Sequence, residues 1–490
     1  MAAFLLLKER IEVTSDKTPL VLDVDGTFLR TDMLFECFWA GLGKDPLAVI
    51  KASATYFTKP AVLKEKLAEI ATVNTGLMPV VPQVKELAEV AMSEGREVVL
   101  ASASDQSQVE RLAADHGLSA RVFASNGSTN LKGEAKAAAL VDEFGEGGFD
   151  YAGNESTDMA VWKKARRAIV VGDDTSANEL QAVDKDVTRI DDQWTPKALV
   201  KALRPHQYVK NVLLFLPALA AHAFDFGTLF LVLMGIVAFS AAASSIYIIN
   251  DLLDLEADRL HATKCKRPFA AGTVPIKVGM ITYVALTVFS LAIAAMLGTA
   301  FLGVIIVYMI LSLAYSLKLK RMRWVDIACL AGLYTLRVVA GAAASGVDAS
   351  VYMLVFIFPV FIALGCVKRM TELALATNDD RLPGRGYGRL DRPDLLNVAG
   401  LGTFGALLIF FLYSFSDQAD ALYPTKWLLW VALVPLGYWL VRMVSLGYQG
   451  KQDYDPIVFA MRDKKGLGII MITLALMFYA AGLYAQWFGG

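Results

Sequence analysis

Long apolar runs begin near residue 200 and dominate the chain after it. Nine are long enough to cross a bilayer: Val209–Phe224, Thr228–Ile249, Lys277–Leu297, Thr299–Leu317, Trp324–Ser345, Ser350–Thr371, Leu395–Phe415, Thr425–Leu446 and Leu467–Phe488. Only helices can cross lipid as single segments with every backbone group satisfied, so residues 204–490 are predicted to form an all-α polytopic membrane domain. The composition agrees: 56% of the 490 residues are hydrophobic and 19% are charged, against about 25% charged in soluble domains.

The bases predict the orientation. With the N-terminus inside, the loops after spans two, four, six and eight are cytosolic. They hold Arg259, Lys264, Lys266 and Arg267, then Lys318, Lys320, Arg321 and Arg323. Lys368, Arg369, Arg381, Arg385, Arg389 and Arg392 follow, then Lys451, Arg462, Lys464 and Lys465; the opposite loops hold essentially Lys426 alone. The opening run Ala2–Leu7 is too short for a secretory signal, so a multi-pass inner (plasma) membrane protein with a cytosolic N-terminus is expected. A net charge of -1 gives no reason to expect a nucleic-acid partner. Four scattered cysteines and four histidines indicate neither a disulfide framework nor a zinc site.

Before residue 200 the pattern changes. Strand-like segments at Leu20–Val24, Val98–Ala101, Arg121–Ala124, Phe149–Ala152 and Ala168–Val171 alternate with helical ones such as Val62–Ala71 and Pro82–Ser93. That alternation predicts an α/β domain with a parallel sheet. The polar stretch Asp184–Leu203, with Pro196 in it, reads as linker-like chain. The expected organisation is a domain over 1–190 with a helical cap at about 33–80, a linker at 191–203, and the membrane domain from 204 onward.

The run Val21-Leu-Asp-Val-Asp-Gly-Thr27 ends the first strand. Carboxylates at i and i+2 point to one side where a strand opens into a loop, one able to attack phosphorus and the other to protonate the leaving alkoxide. This run resembles the haloacid-dehalogenase (HAD) superfamily signature. Val98-Val-Leu-Ala-Ser102, Lys136 and Gly153-Asn-Glu-Ser-Thr-Asp158 are similar to its later motifs. The resemblance implies Asp23 as nucleophile, Asp25 as acid/base, Ser102 and Lys136 as phosphate and charge partners, and a magnesium site with Asp23 and Asp158. Asn154 departs from the usual first acid of the last motif, and Gly172-Asp173-Asp174 is a rival for that motif. A docking module without activity is the competing reading of the domain.

Span two ends in Asn250-Asp-Leu-Leu-Asp-Leu-Glu-Ala-Asp258. Asp251, Asp254 and Asp258 fall on one helix face, where they would repel unless a cation sat among them. Hard oxygen ligands, Asn250 included, suggest Mg²⁺ bridging a diphosphate, and Lys264, Lys266 and Arg267 suit phosphate oxygens. The bland alternative is a solvated acidic helix end balanced by nearby bases.

The second half, about 204–488, resembles the UbiA superfamily of membrane transferases. The residues are this acidic segment, Tyr315-Ser-Leu-Lys318-Leu-Lys320-Arg321 and Asp326. Within it the chain is more similar to the polyprenyl-phosphate phosphoribosyltransferase branch. Arg204-Pro-His-Gln-Tyr-Val-Lys210-Asn211, Arg267-Pro-Phe-Ala-Ala-Gly272, Arg337-Val-Val-Ala-Gly341, Lys368-Arg369-Met-Thr-Glu372, Gly384-Arg-Gly-Tyr387 and Asp455-Pro-Ile-Val-Phe-Ala-Met-Arg462 carry that likeness. It implies phosphoribosyl transfer from PRPP to a polyprenyl phosphate with Mg²⁺ as cofactor, within cell-envelope synthesis. Arg204, Lys210, Lys318, Lys320, Lys368 and Arg462 are candidate phosphate contacts, although topogenic charge explains part of that set. The alternatives are an aromatic prenyltransferase using a polyprenyl diphosphate, a transporter and a non-catalytic scaffold. Spans nearly free of internal charge, Arg337 apart, argue against a transporter. Membrane lipids are expected partners, and a homo-oligomer is left open.

Overall fold

The computed structural model describes residues 17–126, 129–376, 381, 385–452 and 455–488; the run Ala2–Leu7 and Gly384 lie outside them. Strand β1, Leu20–Leu22, is Leu-Val-Leu with no polar side chain, because both of its faces are covered. It pairs in parallel with β2, Val98–Asp105, through Val21↔Val99, and with β4, Asp150–Gly153, through Val21↔Tyr151. With β3 (Ala120–Ser125), β5 (Arg167–Val171) and β6 (Asp186–Ile190) the sheet has the order β3-β2-β1-β4-β5-β6. The chain winds outward on one side of β1 and then on the other, so β1 and β4 form the switch point where a crevice opens beyond the strand ends.

Five strands fall where the alternation predicts them. The sixth, β6, lies in chain that reads as linker, because it is an edge strand with polar, half-exposed residues. Each face of the sheet has its own apolar layer. Leu20, Leu22, Val98, Leu100 and Phe28 pack on one side, and Val21, Val99, Tyr151, Trp162 and Leu140 on the other. Replacing one such leucine by alanine would cost about 2–5 kcal/mol.

Between β1 and β2 the chain inserts α1 (Met33–Lys44), α2 (Pro46–Tyr56) and α3 (Pro60–Ile70). Asp32 caps α1 by accepting from the Phe35 amide, and Asp45 caps α2, whose Pro46 lacks the amide that the first turn leaves free anyway. The two connections to the insertion run side by side. Arg30 donates its amide to Pro79 (2.8 Å) and Val81 donates its amide to Phe28 (2.9 Å). Helix α4 (Pro82–Ser93) then leads into β2.

Seven helices are long and apolar enough to cross a membrane among the described residues, and the molecule is an integral membrane protein. They are α6 (Phe226–Leu253), α7 (Ile276–Leu297), α8 (Thr299–Leu317), α9 (Val325–Ser345), α10 (Val351–Leu375), α11 (Arg392–Tyr413) and α12 (Trp427–Tyr448), α5 being Glu134–Phe144 of the first domain. The expected count of nine spans is therefore not confirmed among the described residues. The first expected span is a 3₁₀ segment, Pro205–Phe215, running into a short helix, Leu216–Ala220, with Pro217 in its first turn. The last is divided into Lys464–Ala480 and Leu483–Phe488 at a turn containing Gly482 with φ +72°. Continuous apolar composition carries no record of these breaks.

By contacts the chain groups into two units. Met1–Leu203 and Ile248–Thr282 form one, and Arg204–Tyr247 and Tyr283–Gly490 form the other.

Candidate functional sites

Asp23 lies just past the end of β1, fixed by its amide donating to the Ala152 carbonyl (2.9 Å). The chain then turns sharply. Gly26 has φ +76°, and a Cβ there would lie 2.2 Å from Asn154 Nδ2, so only glycine fits. The turn brings Asp25 beside β2, where Ser104 Oγ donates to Asp25 Oδ2 (2.6 Å) and Ser102 Oγ lies 3.4 Å from the same oxygen. Asp25 Oδ1 accepts the Met33 amide that begins α1 (2.8 Å). Lys136, buried on α5, reaches Asp23 Oδ1 at 2.6 Å and lies 3.7 Å from Asp158 Oδ1. Tyr151 Oη joins them, accepting from Lys136 (3.0 Å) and donating to Asp158 (2.7 Å).

Burial pushes the Asp23 carboxyl up to about 7, with Lys136 pulling it back only in part. Burial and the Asp158 carboxylate hold the Tyr151 hydroxyl well above its ordinary value, so it stays a donor. Asn154 accepts from Thr27 Oγ1 (3.1 Å) through its amide oxygen, so the residue that departs from the motif still faces the site. The rival acid Asp173 is engaged as the cap of Asp174–Gln181. Ser104 and Tyr151 are site residues that sequence reasoning missed. A tyrosine in the short β4 strand was the only available signal.

In the same unit, the end of α6 and the chain after it carry the acidic segment. Arg267 Nη1 donates to Asp258 Oδ2 (2.6 Å) and to Asp251 Oδ1 (3.2 Å), drawing together carboxylates seven residues apart. Burial raises the Asp258 carboxyl while Arg267 opposes it; the two carboxylates raise the guanidinium despite its burial. Asp254 begins the short helix Leu255–Leu260 and is half-buried. Asn250 Oδ1 is buried without a hydrogen-bond partner. Lys264 is half-buried and Lys266 exposed.

Among the described residues no three His, Cys, Asp or Glu side chains are arranged to hold a metal by themselves. The donor set of one orphaned amide oxygen and adjacent carboxylates instead suits a magnesium ion that arrives with phosphate oxygens and keeps part of its water.

The second unit holds a base-rich cluster. Lys210 Nζ lies 2.5 Å from Asp455 Oδ2, Lys368 Nζ lies 3.9 Å from it, and Tyr334 Oη donates to it (3.2 Å). Burial alone would raise the Asp455 carboxyl, but the two lysines outweigh it and hold it well below the usual carboxylate range. Arg337 is gripped by Asn211 Oδ1 (3.2 Å) and the Leu333 carbonyl (2.7 Å) and lies over the Tyr334 ring (5.6 Å). Arg204 sits over the Tyr247 ring (5.2 Å). Asp455, noted in sequence only as the start of a motif, and Tyr334 were missing from the expected site residues, since one acid among several in a loop and a mid-span tyrosine carry little local signal.

A further cluster is charge-balanced. Fully buried Arg369 pairs with Asp326 (2.5 Å) and Glu372, and Arg385 and Tyr315 close it from the other side. Lys318 and Arg462 are exposed, and Lys320 is half-buried.

The UbiA prenyltransferase family matches residues 212–462. A decaprenyl-phosphate phosphoribosyltransferase of Mycobacterium tuberculosis is 33% identical over 296 residues, 59% of this chain and 95% of that enzyme. Uncharacterized protein y4nM of Sinorhizobium fredii is 33% identical over 475 residues, 94% of this chain and 92% of its own, so the likeness includes the N-terminal domain. A solved UbiA homologue from Archaeoglobus fulgidus, bound to GPP and Mg²⁺, covers 58% of this chain and 99% of its own at 14% identity with a TM-score of 0.44. The assignment rests on the sequence matches: the chain belongs to the UbiA prenyltransferase family, with a parallel-sheet α/β domain joined to its N-terminus.

Proposed function

We propose that the membrane domain transfers the phosphoribosyl group of PRPP to a polyprenyl phosphate, and that the N-terminal domain is a HAD-type phosphatase that removes the 5-phosphate from the product. The observation that carries the first half is the surplus of positive charge around Asp455 among the described residues. Lys210 and Lys368 face one carboxylate, and Arg337 adds a third cation through Tyr334. Such a set favours polyanionic substrates, and PRPP together with a lipid phosphate brings four phosphate groups to be held: two in the diphosphate, one at C5 and one on the lipid. The similarity to a decaprenyl-phosphate phosphoribosyltransferase points the same way.

In the transfer, the C1–O bond to diphosphate breaks and an acceptor phosphate oxygen bonds to C1. Asn250, Asp251, Asp254 and Asp258 are the residues that would hold Mg²⁺. That ion supplies charge neutralisation for the departing diphosphate. Arg267 would exchange its carboxylates for phosphate oxygens, and Lys210 and Lys368 would hold the remaining phosphate charge. In the hydrolysis, Asp23 attacks phosphorus, the bond to ribose O5 breaks, and Asp25 protonates that oxygen. Asp25 then takes a proton from water, which cleaves the aspartyl phosphate. Lys136 holds the phosphoryl oxygens, and Ser104 keeps Asp25 in place. The proposed boundaries are 1–190 for the phosphatase, 191–203 for the linker and 204–490 for the transferase. Both sites would face the cytosol across the inner membrane.

Membranes containing the protein, given labelled PRPP, polyprenyl phosphate and Mg²⁺, should form a labelled lipid. Labelled prenyl diphosphate with an aromatic acceptor should give none, and the opposite result overturns the reading. Protease added outside sealed right-side-out vesicles should leave the N-terminal domain and the Asp455–Lys465 loop intact. Cleavage there would reverse the orientation.

A further inference from the structure

Residues 258–272 make two separate attachments to the α/β domain, both at the base of its helical insertion. Arg259, adjacent to Asp258, forms a two-pronged ion pair with Glu36 on α1. Its Nη2 lies 2.5 Å from Glu36 Oε1, and the two side chains are 7% and 4% exposed. The pair is braced from both ends. Thr31 Oγ1 donates to Glu36 Oε1 (2.6 Å), and Arg259 Nε donates to the Ala270 carbonyl (3.1 Å). Thirteen residues on from Arg259, Gly272 has φ +68°, and a Cβ there would lie 2.5 Å from Arg30 Cβ and 2.9 Å from Pro79 Cγ. Arg30 and Pro79 belong to the two connections through which the insertion leaves and rejoins the sheet, and they are hydrogen-bonded to each other. The same stretch of α1 begins on Asp25, which accepts the Met33 amide.

We infer that the segment 258–272 sets the hinge of the phosphatase cap, with Glu36 and Arg259 as its positioning residues. The inference rests on the phosphatase reading of the Asp23 site and on the diphosphate reading of the acidic segment. The segment carries Asp258 and Arg267, bonded to each other, and it also holds Arg259, paired with Glu36 of the cap, and Gly272, packed against the cap's two connections. A diphosphate that draws Arg267 to its oxygens loosens the Arg267–Asp258 bond. The displacement passes to Arg259 across one peptide unit, then through the rigid guanidinium–carboxylate fork to α1. Since α1 starts on Asp25, the acid/base group feels the same movement. Occupancy of the transferase segment thereby adjusts the geometry of the phosphatase.

The test is hydrogen–deuterium exchange on the full-length protein in detergent, reading peptides spanning 28–36 and 78–84 with and without Mg²⁺ plus inorganic diphosphate. Diphosphate binding is followed in parallel by calorimetry. In the wild type, exchange in both peptides should change at least about threefold on binding. E36Q, an isosteric change, and R259Q, which removes the guanidinium fork, both lie outside either reacting site and should bind diphosphate yet lose that response. The charge-swapped pair E36R/R259E should recover part of it, which a general loss of packing would not. Binding without an exchange response in the wild type overturns the coupling, as does an unchanged response in E36Q and R259Q. Absence of diphosphate binding overturns the site reading and the coupling together. Hydrolysis of p-nitrophenyl phosphate, measured on the same samples, decides the phosphatase reading alone, because exchange reads the hinge whether or not the cap covers an active enzyme.

Discussion

Around Lys136 in the N-terminal domain, the carboxylates of Asp23 and Asp158 converge on one ammonium, with Asp25 next to them. Around Asp455 in the membrane region, Lys210 and Lys368 converge on one carboxylate. The two clusters are inverses. Each is partly neutralised from within, and the sign left over differs. A buried charge must be compensated, so the residual sign among the described residues is the reason for proposing a cation at the first cluster and phosphate anions at the second. The cluster of Asp326, Glu372, Arg369 and Arg385 is balanced among the described residues, two charges against two. Its Asp326–Arg369 pair ties α9 to α10.

The largest expected effect separates the two sites by chemistry. Asp23→Asn should lower phosphate-ester hydrolysis by on the order of 10⁴-fold, the scale of losing a nucleophile. Transfer from PRPP should be untouched, so the mutant accumulates the phosphorylated lipid-ribose. Equal product profiles in mutant and wild type would break the assignment of the first cluster.

Asp455→Asn removes the acid that buried Lys210 and half-buried Lys368 share among the described residues. Unfolding in detergent should show a loss of about 3–5 kcal/mol, because the ammonium groups are left uncompensated. The Asp455 carboxyl sits below its unfolded value, so its contribution is present above that value and lost as pH falls through the lower, folded one. The gap between mutant and wild type should therefore be constant from about pH 7 to 5 and narrow only below about pH 4. A gap that closes near neutrality would mean that the lysines do not hold this carboxylate ionised.

Asp254→Ala tests the intermediate case, an acid near the Arg267 bridge but not in it. Turnover of PRPP should fall roughly 10²-fold with little loss of folded protein, and EDTA should abolish wild-type turnover until Mg²⁺ is restored. Normal turnover in this variant would reduce the acidic segment to a solvated helix end. The smallest effect belongs to an exposed pair. Lys164→Ala, which breaks a contact to Glu146 with both side chains about half exposed, should change stability by ~1 kcal/mol or less. A larger change would undercut the claim that burial makes the clusters matter.

The sequence by itself determined the class of each half and the local placement of residues within contiguous motifs. Asp23 and Asp25 share one turn, so their side-by-side placement follows from the local period of a strand end. The long apolar runs force helices because lipid offers the backbone no other partner. Tertiary structure decided what depends on distant chain. β6 hides as polar edge sequence, and the two broken spans hide inside unbroken hydrophobicity. Lys210 meets Asp455 across 245 residues of sequence, and Glu36 meets Arg259 across 223. No local pattern encodes such pairs. Each member looks like an ordinary surface charge until packing removes water and brings the opposite charge against it.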